Sequence, residues 1–239
     1  MLTDRAQQLL LSPVLAAQAV QVILRTPRLP EAAGPRSGET GQGPPLRLLI
    51  LGDSSAAGVG AATQQDALSG QLAAALASEV RVTWRVVAQT GLTTARIPAL
   101  LASSTQDRFD VAVTALGVND TTRLRHPARW LRETQSLHAV LRADHGVRRS
   151  YVTAVPPLDR FPALPYPLNA VLGRQSRALM AVLEPALARV TDVQLLRPDW
   201  GLDPAKMAAD GFHPGPEIYR RWGMFVAQNI LQDLRSGVL

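Results

Sequence analysis

The chain has 239 residues, 46% of them apolar, with no cysteine and a formal net charge of +6. That is enough apolar material for one real core, which excludes a disordered chain, and the missing thiols exclude disulfides, thiolate metal sites and cysteine nucleophiles. The positive charge is nearly all arginine, with Lys206 the only lysine; the arginines form no basic stripe with interleaved aromatics, so nucleic acid is set aside in favour of solvated helix faces.

The first segment, Leu9 to Leu24, is apolar but broken by Ser12, Pro13, Gln18 and Gln21. It falls short of the ~18–20 unbroken apolar residues of a membrane span. Three readings compete: a signal peptide with Ala17-Gln18-Ala19 as its cleavage site, an amphipathic helix on a membrane surface, and a helix packed on the domain or on a second subunit. The packed helix is the reading we favour, since Asp4 beside a single Arg5 makes a poor signal front. It implies a cytoplasmic protein; the other two imply export or peripheral membrane attachment through residues 1–24. A helix packed on a second copy implies a homodimer.

Residues 27–45 hold Pro27, Pro30, Gly34, Pro35, Gly38, Gly41, Gly43, Pro44 and Pro45, which read as a linker or surface loop. The chain then divides into an N-terminal helix plus linker, 1–45, and a domain over 46–239. Within that domain strands and helices alternate. Strands are expected at Arg47–Leu51, Val82–Ala88, Asp110–Leu116, Ser150–Val155 and Asp192–Leu196. Helices are expected at Asp66–Glu79, Thr94–Leu101, Pro127–Ala143, Asn169–Arg189 and Pro216–Leu234, Pro98 being out of place inside the second. Five strands alternating with helices predict a parallel sheet covered on both faces, a doubly wound α/β sandwich.

Four stretches carry unusual residues, and three of them follow expected strands: Gly52-Asp53-Ser54, Gln89-Thr90-Gly91, Gly117-Val118-Asn119-Asp120 and Asp210-Gly211-Phe212-His213. In a parallel sheet the ends of the first three strands share one rim, where such folds place their ligands. The loop before the last helix can return there. Ser54 is a nucleophile candidate, His213 can take its proton, and Asp210 can orient the imidazole. The backbone N–H groups of Ser54 and Gly91 and the amide of Asn119 can hold the oxyanion formed at an ester carbonyl.

These four blocks, in this order, resemble the SGNH hydrolases, also called GDSL-type esterases and lipases, over about residues 46–235. The resemblance implies a flavodoxin-like, three-layer α/β/α sandwich with a five-stranded parallel sheet. It implies a serine acyl-enzyme, no metal or other cofactor, and small-molecule ester or thioester substrates. On that basis residues 46–239 are expected to form an SGNH-type hydrolase domain acting on short- to medium-chain carboxylic esters. An acyltransferase and a deacetylase of O-acetylated sugars use the same site; a non-catalytic, membrane-peripheral module is the alternative of another class.

Plainer readings stand beside these. Ser54 could cap a helix, and Ser55 is the other hydroxyl in the turn. Asp53 reads as a loop brace; Asp110 and Asp120 read as strand- and loop-end residues. Gly58-Val59-Gly60 has no following lysine to make a phosphate loop. His126, His138 and His145 read as surface or helix-end residues without metal-ligand spacing. The apolar segment 156–167 is either a rigid connection or an acyl-pocket wall, with Leu158, Phe161 and Tyr166 as its substrate-binding candidates.

Overall fold

A computed structural model describes residues 4–199 and 203–239. Its centre is strand β2, Pro45–Gly52, in which Leu48, Leu49, Ile50 and Leu51 are all fully buried. An unbroken apolar run is what a strand covered on both faces requires. Around it lie β3 (Arg81–Ala88), β4 (Val111–Ala115), β5 (Arg149–Thr153) and β6 (Val193–Leu196), all parallel, in the order β3-β2-β4-β5-β6.

The layers follow from the alternation of side chains along each strand. Leu48 and Ile50 point to one core, shared with α2 (Leu68–Leu76) and α7 (Pro216–Arg235). Leu49 and Leu51 point to the opposite core, shared with α3 (Ile97–Ser104) and α5 (Pro127–Ala143). Further along that face, Val152 and Val193 pack with α6 (Leu168–Leu187). The expected three-layer sandwich is therefore present. Gly223 lets α7 lie tight on α2: a Cβ there would stand 2.8 Å from the backbone nitrogen of Leu72. Pro98 falls at the first turn of α3, where its missing N–H breaks no helical bond.

The sheet has six strands rather than five. Residues Ser37–Thr40 form β1, antiparallel to β3 at the sheet edge. The stretch read as a linker is thus part of the sandwich. Ala32 is buried, and the Gln64 amide donates to the carbonyls of Ala32 and Ala57. The pairing comes from the free edge of β3, not from any apolar alternation in Ser-Gly-Glu-Thr.

The N-terminal segment is one helix, α1, Asp4–Arg25. Gln18 fastens it to the loop before α6: its amide donates to the Tyr166 carbonyl at 2.7 Å and its oxygen accepts from the Leu168 N–H at 3.1 Å. Leu15, Ala19 and Val22 pack beside the α6 core. Among the described residues no helix is long and apolar enough to cross a membrane.

Candidate active site

Immediately after β2 the backbone turns, closed by the Ala57 N–H on the Asp53 carbonyl and the Val59 N–H on the Ser54 carbonyl. Gly60 then brings this loop against the one before α7. Its φ is +99°, and a Cβ would lie 2.2 Å from the Pro214 carbonyl oxygen. That second loop is clamped at its base by the Ala208 N–H on the His213 carbonyl and the Gly215 N–H on the Lys206 carbonyl.

The two loops place the Ser54 hydroxyl 2.9 Å from Nε2 of His213. Nδ1 of the same ring lies 2.5 Å from Oδ2 of Asp210. An ionised carboxylate only accepts, so Nδ1 carries the proton and Nε2 is the acceptor for the serine O–H. The other oxygen of Asp210 takes the N–H groups of Phe212 and His213, each at 2.9 Å. Burial works against the Asp210 charge, but the bonds from the His213 ring and from these two N–H groups outweigh it and hold the carboxyl below its usual pKa. The choice between the two hydroxyls is also visible: Ser55 donates to Oδ1 of Asp53, away from the imidazole.

Asp53 braces the loop, as its position suggests. It is buried, its Oδ1 also takes the Ser55 N–H, and its Oδ2 accepts from the Asn119 amide at 3.0 Å. Burial raises its pKa despite these donors and the nearby His213. Asn119 sits in a short helix, α4, Val118–Thr122, which the sequence reading did not separate. Its neighbour Asp120 accepts from the N–H and hydroxyl of Thr94, tying α4 to the segment after Gly91.

Gly91 is held from two sides by residues that the sequence reading passed over. The N–H and hydroxyl of Thr90 donate to Glu31, and Arg123 donates to the Gly91 carbonyl. Both contacts join residues far apart in sequence, with no local signal to announce them.

Two voids meet at Phe212 and His213. One, of about 50 Å³, is an apolar cavity bounded by Ser54, Ala115, Thr153, Phe161, Ile218 and Trp222 among others. The second is a groove of about 870 Å³ under α1, bounded by Ala19, Val22, Ile23, Leu168, Leu172 and Phe212 among others, with Asp210 and His213 at one end.

Of the three side chains expected at an acyl pocket, only Phe161 reaches one; it meets the Phe212 ring edge-on at 5.2 Å. Leu158 starts a 3₁₀ turn, Leu158–Arg160, that drives it fully into the α6 core. Tyr166 is 79% exposed and lines neither void. One histidine reading also needs correcting, that of His138; His145 stands just past the end of α5, as expected of a helix-end residue. His138 and His145 are both buried, the first on the inner face of α5, the second with Nδ1 on the Asp107 carbonyl. The apolar spacing Trp130, Thr134, Leu137, Leu141 could have placed His138 inside. Among the described residues, no group of three or more His, Asp or Glu is placed to hold a metal ion.

Comparison with known proteins agrees with this picture. The sequence pattern of the GDSL-like Lipase/Acylhydrolase family matches residues 50–221. No curated protein matches the chain. Among solved structures, a carbohydrate esterase family 2 enzyme with a carbohydrate binding domain, from Corynascus thermopiles (Myceliophthora fergusii), superposes with a TM-score of 0.65 at 18% identity, covering 86% of this chain and 69% of that one. A carbohydrate acetylesterase from Sinorhizobium meliloti gives 0.58 at 20% identity, covering 78% and 99%. An inhibitor-bound M. smegmatis aryl esterase gives 0.58 at 21% identity, again covering 78% and 99%. At such identities these structures speak for the fold. The resemblance drawn from the four blocks and the sandwich expected from them are both borne out.

Proposed function

Because the chain belongs to the GDSL-like lipase and acylhydrolase family, a group of ester hydrolases, we propose that it is a serine esterase cleaving short- to medium-chain carboxylic esters through an acyl-enzyme. The observation that carries this reading is the unbroken line from Ser54 Oγ through the His213 ring to Asp210.

The chemistry follows from that line. Ser54 Oγ attacks the acyl carbon while its proton passes to Nε2 of His213. The oxyanion is received by the N–H groups of Ser54 and Gly91 and by the Asn119 amide, which Asp53 orients. His213 then gives its proton to the leaving oxygen, and the alcohol departs. Water attacks the acyl-enzyme, His213 takes its proton and returns one to Ser54 Oγ, and the carboxylic acid leaves. Asp210, ionised through the neutral range, keeps Nδ1 protonated and stabilises the imidazolium.

The apolar side chains of Ala19, Val22, Ile23, Leu164, Leu168 and Phe212 along the groove support an ester with an apolar part. The exposed side chains of Val20, Ile23 and Leu24 on α1 support peripheral contact with a membrane surface. The test of the esterase reading is turnover of 4-nitrophenyl acetate by the full chain and by Ser54→Ala. The variant is expected to lose at least about 10³-fold in kcat. Activity retained within tenfold would remove the assignment.

A further inference from the structure

The two voids differ in size, and they border different members of the triad. Ser54 borders the small cavity and does not border the groove. Asp210 borders the groove and does not border the cavity, while His213 touches both. During the reaction the acyl group stays on Ser54 Oγ. The leaving oxygen must instead stand against Nε2 of His213 to collect its proton. The acyl substituent therefore belongs in the void that Ser54 borders, and the departing alcohol in the void that His213 borders without Ser54.

Resting on the esterase reading above, we propose that the ester is divided unequally: a short acyl group enters the cavity, and a long apolar alcohol lies in the groove under α1. The cavity is the smaller void by a wide margin, about 50 Å³ against about 870 Å³, which suits a short acyl chain such as acetyl to butyryl. Phe161, Ile218 and Trp222 close it, and these are packed side chains with little room to yield. The groove is different in kind. Its far wall is α1, through Ala19, Val22 and Ile23; its near wall is α6 and Phe212. These walls are surfaces for an alkyl or aryl chain, while Arg28, Glu31 and Arg123 add polar groups elsewhere on the groove. The preferred substrate class is thus a short-chain acyl ester of a bulky apolar alcohol.

The proposal also gives α1 a task. The family pattern covers residues 50–221, so the helix lies outside it. Gln18 fixes that helix on the loop before α6, and the fixed helix sets the width of the groove. Alcohol selectivity is then carried by a segment outside the matched span.

Octyl acetate and ethyl octanoate test this directly, because they are isomers with the long chain on opposite sides of the ester. The full chain is expected to favour octyl acetate in kcat/KM by about tenfold or more. In Ala19→Trp and in Ile23→Trp, each of which fills the groove from α1, the ratio of the two should fall at least about threefold. Ile23 is exposed, so its replacement leaves the fold intact even if a tryptophan at 19 loosens the helix. A wild-type ratio at or below one, or a ratio that neither variant moves, overturns the division. Turnover of 4-nitrophenyl acetate that depends on Ser54 is measured alongside. If it is present, such a result removes the division alone; if it is absent, the esterase reading falls and takes the division with it.

Discussion

Helices α1 and α7 are nearly equal in length, 22 and 20 residues, and both are rich in apolar side chains. They are used in opposite ways. In α7 the apolar residues recur at helical spacing, and Ile218, Tyr219, Trp222, Val226 and Ile230 are all buried. The Tyr219 hydroxyl donates to the Val59 carbonyl, joining α7 to the loop that carries Ser54. In α1 apolar residues run round the helix between 13 and 24, so only one side can find the domain. Leu15, Ala19 and Val22 do so, while Val14, Val20, Ile23 and Leu24 stay exposed. Apolar content without sorting produces a helix that borders the site yet adds little to the fold.

That contrast can be broken first at Trp222. It is 2% exposed, stacks on Tyr219 and closes the cavity beside Ser54. Trp222→Ala should cost about 3–5 kcal/mol of folding free energy. Urea unfolding measures it, and a loss below about 1 kcal/mol would place α7 in the same class as α1.

A buried group on α5 sharpens the contrast from the other face of the sheet. Among the described residues neither ring nitrogen of His138 has a hydrogen-bond partner, and burial, with the Arg142 charge, lowers its pKa from 6.5 to about 4. In the unfolded chain it protonates near 6.5, so the unfolded state takes up the proton first and stability falls as pH drops. The loss begins near pH 6.5 and is complete below about 4, reaching about 3 kcal/mol. Asp53 and Asp120, raised by burial, titrate with the opposite sign. The informative quantity is therefore the difference between wild type and His138→Leu. The stability lost between pH 7 and 4.5 should be smaller in the leucine variant, and equal pH slopes would contradict the account.

The smallest effect is expected on α1. Leu24 is 79% exposed, and Leu24→Ser should change stability by no more than about 0.5 kcal/mol. A larger loss in the same unfolding measurement would mean that α1 is held as firmly as α7.

The sequence was most readable where one local rule decides the outcome. β2 follows from an apolar run ending at Gly52. The Ser54 and Asn119 blocks follow from strand ends sharing one rim, to which the loop carrying His213 returns, and the structure brings Ser54, His213 and Asp210 into contact. The rest depends on partners that the local sequence does not contain. β1 exists because β3 offers it an edge. Glu31 and Arg123 reach the Gly91 loop across the fold. The segment 156–167 announces its apolar character, but a 3₁₀ turn decides that Leu158 goes to the core and Phe161 to the cavity.

The edge strand has one more consequence, for how the folded protein behaves when concentrated. β1 and β6, at the two flanks of the sheet, are only four residues long. On β1 the side chain of Glu39 is occupied by the Thr83 hydroxyl and adds negative charge to the flank. A short, charged flank is a poor template for another copy's backbone, so fibril growth by strand addition has little to start from. Clumping of the intact protein would begin instead through the greasy outer face of α1, as side-chain adhesion that a mild detergent reverses.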